Sequence, residues 1–547
     1  MQIFKPMLFS DLKNYSAKQF SKDIISGIIV AVIALPLSIA LAIASGVAPE
    51  AGIYTAVIAG FITSLLGGSS VQIAGPTAAF ATIVAGIVAE KGLSGLALAT
   101  ILAGIFLIIM GIFKLGNLIK FIPFSITTGF TAGIALTLVI GQLKDFAGVT
   151  YLNGEAPIET LEKLGAFFAN ISTFNKSALI VGGVCLVILF VLPRFFEKIP
   201  ASLVAVAVSI AMVKGLNMQV NTIGDLYSVQ SGFPHLALPK ISFSLVFDVM
   251  PDAVTIAVLA AIESLLSCVV ADGMIGKKHR SNTELIAQGA ANIGSALFGG
   301  IPATGAIART AANIKNGGRT PVAGMVHSVV LLAVLVALMK YAAFIPMAAI
   351  AAILINVAYN MCGWKTFVSV VKNSPKSDVI VLISTFLLTV IFDLVVAIEI
   401  GIIAACVLFM KRMSEESSVK KWKYAETDEN EKALMSVPEY VSVFEFSGPM
   451  FFAVASQISN IIIKPGITCV ILRMRSVPSL DTDAIRSLET IVERCKAKGV
   501  TVVVSHVNSQ PLKAMKKAGL YDAIGEDNFC CDINSAMKHA ESFNPKK

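Results

Sequence analysis

Long runs of apolar residues recur along the first three quarters of this chain, and polar residues separate them. Fourteen runs begin near residues 23, 50, 76, 93, 123, 177, 199, 251, 283, 305, 322, 345, 377 and 393. Most of them approach the roughly 20 residues that a helix needs to cross a bilayer. The pattern therefore predicts fourteen membrane-spanning helices, here called spans 1 to 14.

Spans 3 and 10, at about residues 76–89 and 305–315, are too short to cross a membrane, and glycines break the chain just before each. The two broken stretches read GGSSVQIAGPTAA from Gly67 and GGIPATGAIART from Gly299. Lipid cannot satisfy unwound backbone, so such a stretch persists only where it lines a protein cavity. A matching pair of interrupted segments is typical of a transporter's substrate site. The pattern therefore predicts a transporter.

The positions of the two short spans divide the fourteen into two halves of seven, at about residues 23–214 and 245–412. Because seven is an odd number, the second half must cross the membrane in the opposite sense to the first. We therefore predict a polytopic α-helical membrane protein built as a seven-plus-seven inverted repeat.

Composition and charge narrow the class further. Of 547 residues, 56% are hydrophobic and only 14% are charged, which excludes an ordinary soluble protein. Lysine and arginine are concentrated in the loops of one side, as at Lys277, Lys278 and Arg280, so both termini are expected in the cytoplasm and the protein in the inner membrane. The net charge of +8 suits contact with anionic lipid, and nothing indicates nucleic acid.

Beyond the apolar runs the composition changes and charged residues return. We expect a cytoplasmic N-terminal segment at 1–22, a transport domain at 23–412, a polar linker at 413–436 and a cytoplasmic domain at 437–547. In the last of these, strand-like stretches alternate with helical ones, which predicts a small α/β domain. The eight cysteines lack the spacing of metal ligands, so we expect neither a bound metal nor a cofactor. No nucleophile lies beside a base in the sequence, so we do not expect an enzyme.

The chemistry of the predicted site follows from helix ends. The first N–H groups of a helix have no intrahelical partner, and its N-terminus carries about half a positive charge. Two short helices whose N-termini meet therefore make an anion site from backbone alone. Threonine and glutamine side chains add hydrogen bonds there. The candidate residues are Gln72, Gly75, Thr77, Ala78, Thr304, Gly305, Ala306, Ile307 and Ala308.

Two charged residues are predicted inside the membrane, where a charge is costly and usually marks function. Arg309 follows the second broken stretch and either supplies positive potential to an anion or braces an acid such as Glu263; we prefer the first role. Glu263, near the middle of span 8, is the leading candidate for coupling transport to H⁺ or Na⁺. Ser264 is a second, weaker candidate beside it.

Residues 49–70, PEAGIYTAVIAGFITSLLGGSS, resemble the signature of the SulP family of anion transporters, with Pro49, Gly52, Tyr54 and the Gly68-Ser69 pair in place. The resemblance implies a core domain of spans 1–4 and 8–11 and a gate domain of spans 5–7 and 12–14. It also implies elevator-like alternating access and frequent homodimers, and it places the position of Arg309 beside the anion site.

The C-terminal domain resembles the STAS domain that closes most members of that family. The sequence leaves three roles open for this domain: inhibiting transport, aiding assembly or binding a cytoplasmic protein partner. Related domains carry a phosphorylation loop at the position of Leu480–Ala484. Asp483 stands at the phosphoacceptor position here, which leaves Thr482 as the open candidate.

These observations lead to one expected function and two alternatives. We expect a secondary transporter of a small anion, such as bicarbonate, sulfate or a dicarboxylate, coupled to H⁺ or Na⁺. The first alternative is a nucleobase permease of the same fold. The second is a membrane sensor that signals through its STAS-like domain.

Overall fold

The coordinates come from a computed structural model, which describes residues 4–117, 123–152, 157, 159–196, 200–229, 231–236, 242–392, 394–422, 424–426 and 434–545. Contacts within the chain divide it into two compact units, Met1–Ile402 and Ile403–Lys547. The first unit is helical, and the second is built around a sheet.

A helix occupies each of the fourteen predicted segments. Spans 3 and 4 lie in one helical stretch, Ala81–Ile112, which joins two helices across a kink and follows a 3₁₀ turn at Ala78–Phe80. Gly92 interrupts this stretch with φ 67°, a left-handed value that glycine adopts without a steric cost, and so separates the two spans. The other spans are Ala17–Ala44, Pro49–Leu66, Phe124–Ala147, Lys176–Phe195, Ala201–Gly215, Met250–Ile275, Ser281–Leu297, Ile307–Lys315, Val322–Leu338, Met347–Cys362, Lys376–Ile391 and Leu394–Glu416.

Eight helices in the described part of the chain are long and apolar enough to cross a membrane unaided; they contain spans 1, 2, 3 with 4, 5, 6, 8, 11 and 12. A short helix at Met7–Asp11 and a 3₁₀ turn at Leu12–Asn14 precede span 1. Others lie between the spans, at Thr160–Ala169, Ile171–Thr173, Ile223–Leu226, Phe243–Asp248, Met339–Phe344 and Trp364–Asn373. The chain is therefore a multi-pass helical membrane protein.

The most extensive helix packing falls within two groups of spans, although span 1 also packs on spans 7 and 12 of the second group. Span 9 packs on spans 2 and 4, span 11 on spans 1 and 2, and span 8 on spans 4 and 10. In the other group, spans 12 and 13 pack on span 5, and span 6 packs on spans 7 and 12. Small residues allow these close approaches, since a Cβ at Gly104 or Gly289 would meet the backbone of the partner helix.

The two broken stretches meet each other. Strand β1 (Ala74–Gly75) ends just before span 3, and strand β2 (Thr304–Gly305) ends just before span 10. The two strands pair antiparallel, with Ala74 opposite Gly305 and Gly75 opposite Thr304. The pairing brings the starts of both short spans to the same place, as an inverted repeat requires.

The second unit contains a five-stranded sheet in the order β3-β6-β7-β8-β9. Strands β6, β7, β8 and β9 run parallel, and β3 lies antiparallel to β6 at the edge. The strands are β3 Ser418–Trp422, β6 Val441–Ser447, β7 Cys469–Ser476, β8 Thr501–Ser505 and β9 Phe529–Cys530, with a separate hairpin of β4 Tyr424–Glu426 and β5 Leu434–Ser436. The helices are Ala455–Ser459, Thr482–Ala497, Ser509–Lys517, Leu520–Ile524 and Ile533–Ala540, with 3₁₀ turns at Glu526–Asn528 and Glu541–Phe543.

The structure differs from the expected linker at 413–436. Its residues Ser418–Trp422 form β3, an edge strand that pairs with β6 along its whole length. Two lysines in this strand are exposed while Val419 and Trp422 pack on the two faces of the sheet. Charged residues are common on edge strands because they discourage pairing with other chains. In β3 the two lysines make the composition resemble that of a polar linker.

Thr482 and Asp483 are both exposed at the start of the helix Thr482–Ala497. Asp481 caps this helix by accepting a hydrogen bond from the Ala484 N–H, at 2.9 Å. Phosphorylation of Thr482 stays a prediction.

Candidate functional site

The two broken stretches approach so closely that, at one glycine in each, a side chain of the other stretch occupies the place of a Cβ. A Cβ at Gly75 would collide with Nη1 of Arg309, and a Cβ at Gly305 would collide with the side-chain amide of Gln72. Pro76 follows Gly75 directly and has no N–H to continue a strand. Pro76 therefore ends strand β1 directly before span 3 begins.

The pairing of β1 with β2 is here called the crossing. The first turn of span 10 lies on its accessible side. The first α-helical hydrogen bond runs from the Thr310 N–H to the Ala306 carbonyl, at 2.9 Å, so the N–H groups of Ile307, Ala308 and Arg309 have no intrahelical acceptor. The residues Ile307 and Ala308 are exposed, the former by 45%. These N–H groups and the helix dipole make the surface attractive to an anion.

Two N–H groups predicted to bind the anion have protein partners instead. The Ala306 N–H donates to the Ile73 carbonyl at 2.9 Å, and the Gly305 N–H donates to Ser264 Oγ at 3.0 Å. Both bonds hold the crossing together. The backbone N–H groups that remain available to an anion at this end are those in the first turn of span 10.

Span 3 contributes the opposing end. The Phe80 N–H donates to the Thr77 carbonyl at 3.3 Å, which leaves the N–H groups of Ala78 and Ala79 without an acceptor in the turn. Thr77 is half-buried, and its hydroxyl donates to Oε2 of Glu263 at 2.9 Å. Glu263 is also half-buried, so the predicted coupling residue lies beside the N-terminus of span 3.

Three side chains expected at the site face inward as braces. Thr304 and Ser264 are fully buried, and their hydroxyls hydrogen-bond each other at 2.7 Å. Gln72 is also buried, and its amide donates to the Ser264 carbonyl at 3.1 Å and to Oε1 of Glu284 at 3.2 Å. These residues fix the broken stretches and leave contact with a ligand to the helix ends, of which that of span 10 is exposed and that of span 3 begins at the half-buried Thr77.

Arg309 lies behind the helix ends. Its side chain is 2% exposed, and Nη2 donates to the Pro76 carbonyl at 2.8 Å. Its other two nitrogens, Nε and Nη1, are buried without a hydrogen-bond partner. Among the described residues Glu263 accepts a hydrogen bond from Thr77 and forms no ion pair with Arg309, so the alternative role of Arg309 as a brace for Glu263 is not seen. The guanidinium places a positive charge next to the start of span 3.

Sequence reasoning missed a stripe of buried polar residues on span 9. The stripe is Glu284, Gln288, Asn292 and Ser295, spaced for one face of a helix, and each is fully buried. The Glu284 carboxylate accepts from the Gly68 N–H at 2.8 Å, and the Asn292 amide bonds the Ala303 N–H and carbonyl at 2.8 and 2.9 Å. The signal was present as polar residues at four-residue spacing in an apolar span.

The arrangement brings together two helix N-termini and one arginine around a half-buried surface that also carries one carboxylate. Such a surface can hold an anion by backbone hydrogen bonds and positive potential, while the Glu263 carboxylate has oxygen lone pairs left for a proton or a cation. Within the described residues, no group of three His, Cys, Asp or Glu side chains could hold a metal ion.

A multi-pass helical protein whose two interrupted spans meet at one site is a membrane transport protein by class. The chain matches the Sulfate permease family over residues 20–385 and the STAS domain over residues 432–536. The first match covers more than half of the chain, so the protein belongs to the Sulfate permease family and is a transporter rather than an enzyme.

Relatives resemble the chain along almost its whole length. The "Putative sulfate transporter YvdB" of Bacillus subtilis is 39% identical over 525 residues, which cover 94% of this chain and 97% of that protein. The "Bicarbonate transporter BicA" of Picosynechococcus sp. is 32% identical over 559 residues, covering 99% and 96%.

Solved structures share the fold. The transmembrane domain of a cyanobacterial bicarbonate transporter BicA superposes with a TM-score of 0.61 at 31% identity, covering 72% of this chain and 98% of that one. The structure of SLC26A9 superposes with a TM-score of 0.86 at 18% identity, covering 98% and 92%. The second likeness extends over both the helical unit and the STAS unit.

Proposed function

We propose that this protein is a secondary transporter that carries a small anion across the inner membrane. The observation that carries the proposal is the meeting of spans 3 and 10 across the β1–β2 pair, with unpartnered first-turn N–H groups at both ends. We propose that the anion sits between these ends, held by the N–H groups of Ala78, Ile307 and Ala308 and by the nearby charge of Arg309.

The proposed substrates are bicarbonate, sulfate or a dicarboxylate. Two named relatives support an oxyanion, since one is described as a sulfate transporter and the other as a bicarbonate transporter. Each of these anions accepts several hydrogen bonds through its oxygens, which suits a site made of N–H donors. Selection among them depends on the size and desolvation of the cavity.

We propose that Glu263 couples anion movement to H⁺ or Na⁺. Its carboxylate lies one hydrogen bond from Thr77, the residue that begins span 3, so the charge of the coupling group acts on the anion at short range. A proton or a sodium ion on Glu263 removes the repulsion between the carboxylate and the anion. The two ligands then favour each other's binding, as symport requires.

We propose elevator-like alternating access, in which the group of spans 1–4 and 8–11 carries the site past the group of spans 5–7 and 12–14. The concentration of helix packing within each of these groups supports such movement. We further propose cytoplasmic termini, a homodimer and a cytoplasmic protein partner for the STAS domain.

The test is uptake of labelled bicarbonate, sulfate and fumarate by the purified protein in liposomes. Each anion is supplied under an inward Na⁺ gradient and, separately, under a proton gradient, with protein-free liposomes and ionophore-collapsed gradients as controls. We expect saturable uptake of one anion under one of the gradients. If all three anions fail to enter under both gradients, the proposal is wrong.

A further inference from the structure

His327, on span 11, is a fully buried polar side chain that the proposed mechanism does not use. It is 0% exposed, and neither ring nitrogen has a hydrogen-bond partner among the residues that the structure describes. In a neutral imidazole one nitrogen donates and the other accepts. Burying both without partners costs free energy, so such a group usually marks a buried water or a function.

Arg309 has the same unusual feature close by. Its Nε and Nη1 groups are buried donors without partners, and its Nη2 holds the Pro76 carbonyl at 2.8 Å. The structure thus contains unused donors on one side chain and an unused acceptor on a neighbouring one.

Both side chains flank strand β1 where it crosses span 2. A Cβ at Gly60 would lie 3.7 Å from Nδ1 of His327 and 3.2 Å from the Ala74 carbonyl oxygen. A Cβ at Gly75 would meet Nη1 of Arg309 and would lie 3.5 Å from Cα of Ala56. Ala56 and Gly60 are one helical turn apart on the same face of span 2, so the two side chains lie against neighbouring positions of one surface.

We propose that His327 is a positioning residue for the anion site and acts through Arg309. Its ring and the unused guanidinium N–H groups share one buried polar pocket and are joined by an ordered water. This bridge, together with the bond to Pro76, keeps the guanidinium turned toward the start of span 3. The inference rests on the proposed anion site for its effect on transport, but the proposed water bridge between the two side chains does not depend on it.

The first test compares transport kinetics of three variants in liposomes. His327→Leu keeps the approximate volume and removes both ring nitrogens, while His327→Gln keeps one donor and one acceptor. Losing a hydrogen bond to a charged group is expected to raise the KM for the anion about 10-fold in the leucine variant, with Vmax little changed. The glutamine variant should restore most of the affinity.

Ser328→Ala is the matched control. Ser328 is the next residue along span 11 and is equally buried, but its hydroxyl bonds only the Ala56 carbonyl, at 3.4 Å. Its KM should equal that of the unchanged protein. An unchanged KM in His327→Leu, or equal effects of the leucine and glutamine variants, would overturn the proposal.

A second test measures thermal unfolding in detergent without any anion. The single variants His327→Leu and Arg309→Met are compared with the double variant in a double-mutant cycle, and His327→Gln replaces the leucine variant if the latter does not fold. We expect His327→Leu to lower the unfolding temperature only while Arg309 is present. Additive shifts would overturn the proposed contact. Because no anion is present, this result is independent of the proposed transport function.

Discussion

Two glutamates in the membrane unit have very different surroundings. Glu284 is fully buried and accepts hydrogen bonds from the Gly68 N–H, Gln288 and Gln72, at 2.8, 2.9 and 3.2 Å. Glu263 is half-buried and accepts one described bond, from Thr77 at 2.9 Å. The hydrogen bonds of the Glu284 carboxylate hold the chain in place. The Glu263 carboxylate still has oxygen lone pairs that can bind a proton or a cation.

The difference teaches how to separate a structural carboxylate from a functional one in this fold. Donors from three different places converge on Glu284, so its removal leaves several buried polar groups unsatisfied. Glu263 stands at the accessible edge of the helix ends, where a change in its charge is felt by a bound anion. The residue type alone does not tell the two roles apart, but the hydrogen-bond partners of each glutamate indicate which role it has.

The largest expected effect is on coupling. Glu263→Gln should abolish gradient-driven uptake, because a neutral amide can neither release a proton nor attract Na⁺ as a carboxylate does. The measurement is uptake in liposomes, with the chromatographic profile and the unfolding temperature as checks that the fold is intact. Normal gradient-driven rates in this variant would remove Glu263 from the coupling step.

The second effect is on stability. Glu284→Ala should lower the free energy of unfolding by about 3 kcal/mol, since it orphans the buried donors of Gly68, Gln72 and Gln288. Glu263→Ala should cost less than about 1 kcal/mol, because it loses one bond at a half-buried place. Thermal unfolding of the two variants side by side measures the contrast, and equal losses would contradict the assignment of roles.

A smaller effect is expected at Arg309. Arg309→Ala should raise the KM for the anion about 10-fold, as the loss of a nearby positive charge in a partly dry site costs between 1 and 2 kcal/mol, a rough figure. Arg309→Lys, which keeps the charge, is the matched variant and should lose less. An unchanged KM in the alanine variant would reduce Arg309 to a brace for Pro76.

The smallest effect is expected at Thr77. Thr77→Val keeps the shape of the side chain and removes the hydroxyl that donates to Glu263. One neutral-to-charged hydrogen bond at a half-buried place predicts a change of about 3-fold in the half-saturating concentration of the coupling ion. The anion KM should change less, and the reverse ranking would place Thr77 on the anion instead of on Glu263.

Much of the fold was predictable from the sequence because hydrophobic run length reports directly on membrane crossing. The fourteen segments, the boundary between spans 3 and 4 and the matched interruptions before spans 3 and 10 all follow from local composition. The α/β character of the second unit follows from alternation within short stretches. Strand β3 escaped prediction because its two exposed lysines hide the buried positions of an edge strand.

The site was predictable only in outline. Glycine and proline positions indicate where helices break, but they do not show which N–H groups the crossing itself consumes. The partner of the Ala306 N–H is Ile73, more than two hundred residues away in the sequence, and Gln72 turns inward to Glu284 for a similar long-range reason. Such pairings depend on how the two halves interlock, which periodicity does not encode.

The central claim is that an anion binds between the N-terminal ends of spans 3 and 10, and charge placed there tests it most directly. Ala308 is exposed in the first turn of span 10, so Ala308→Glu adds a negative charge at the proposed site and Ala308→Gln adds the same bulk without the charge. We predict that saturable anion uptake in liposomes is lost in the glutamate variant and retained in the glutamine variant. Uptake by Ala308→Glu with the KM of the unchanged protein would contradict the claim.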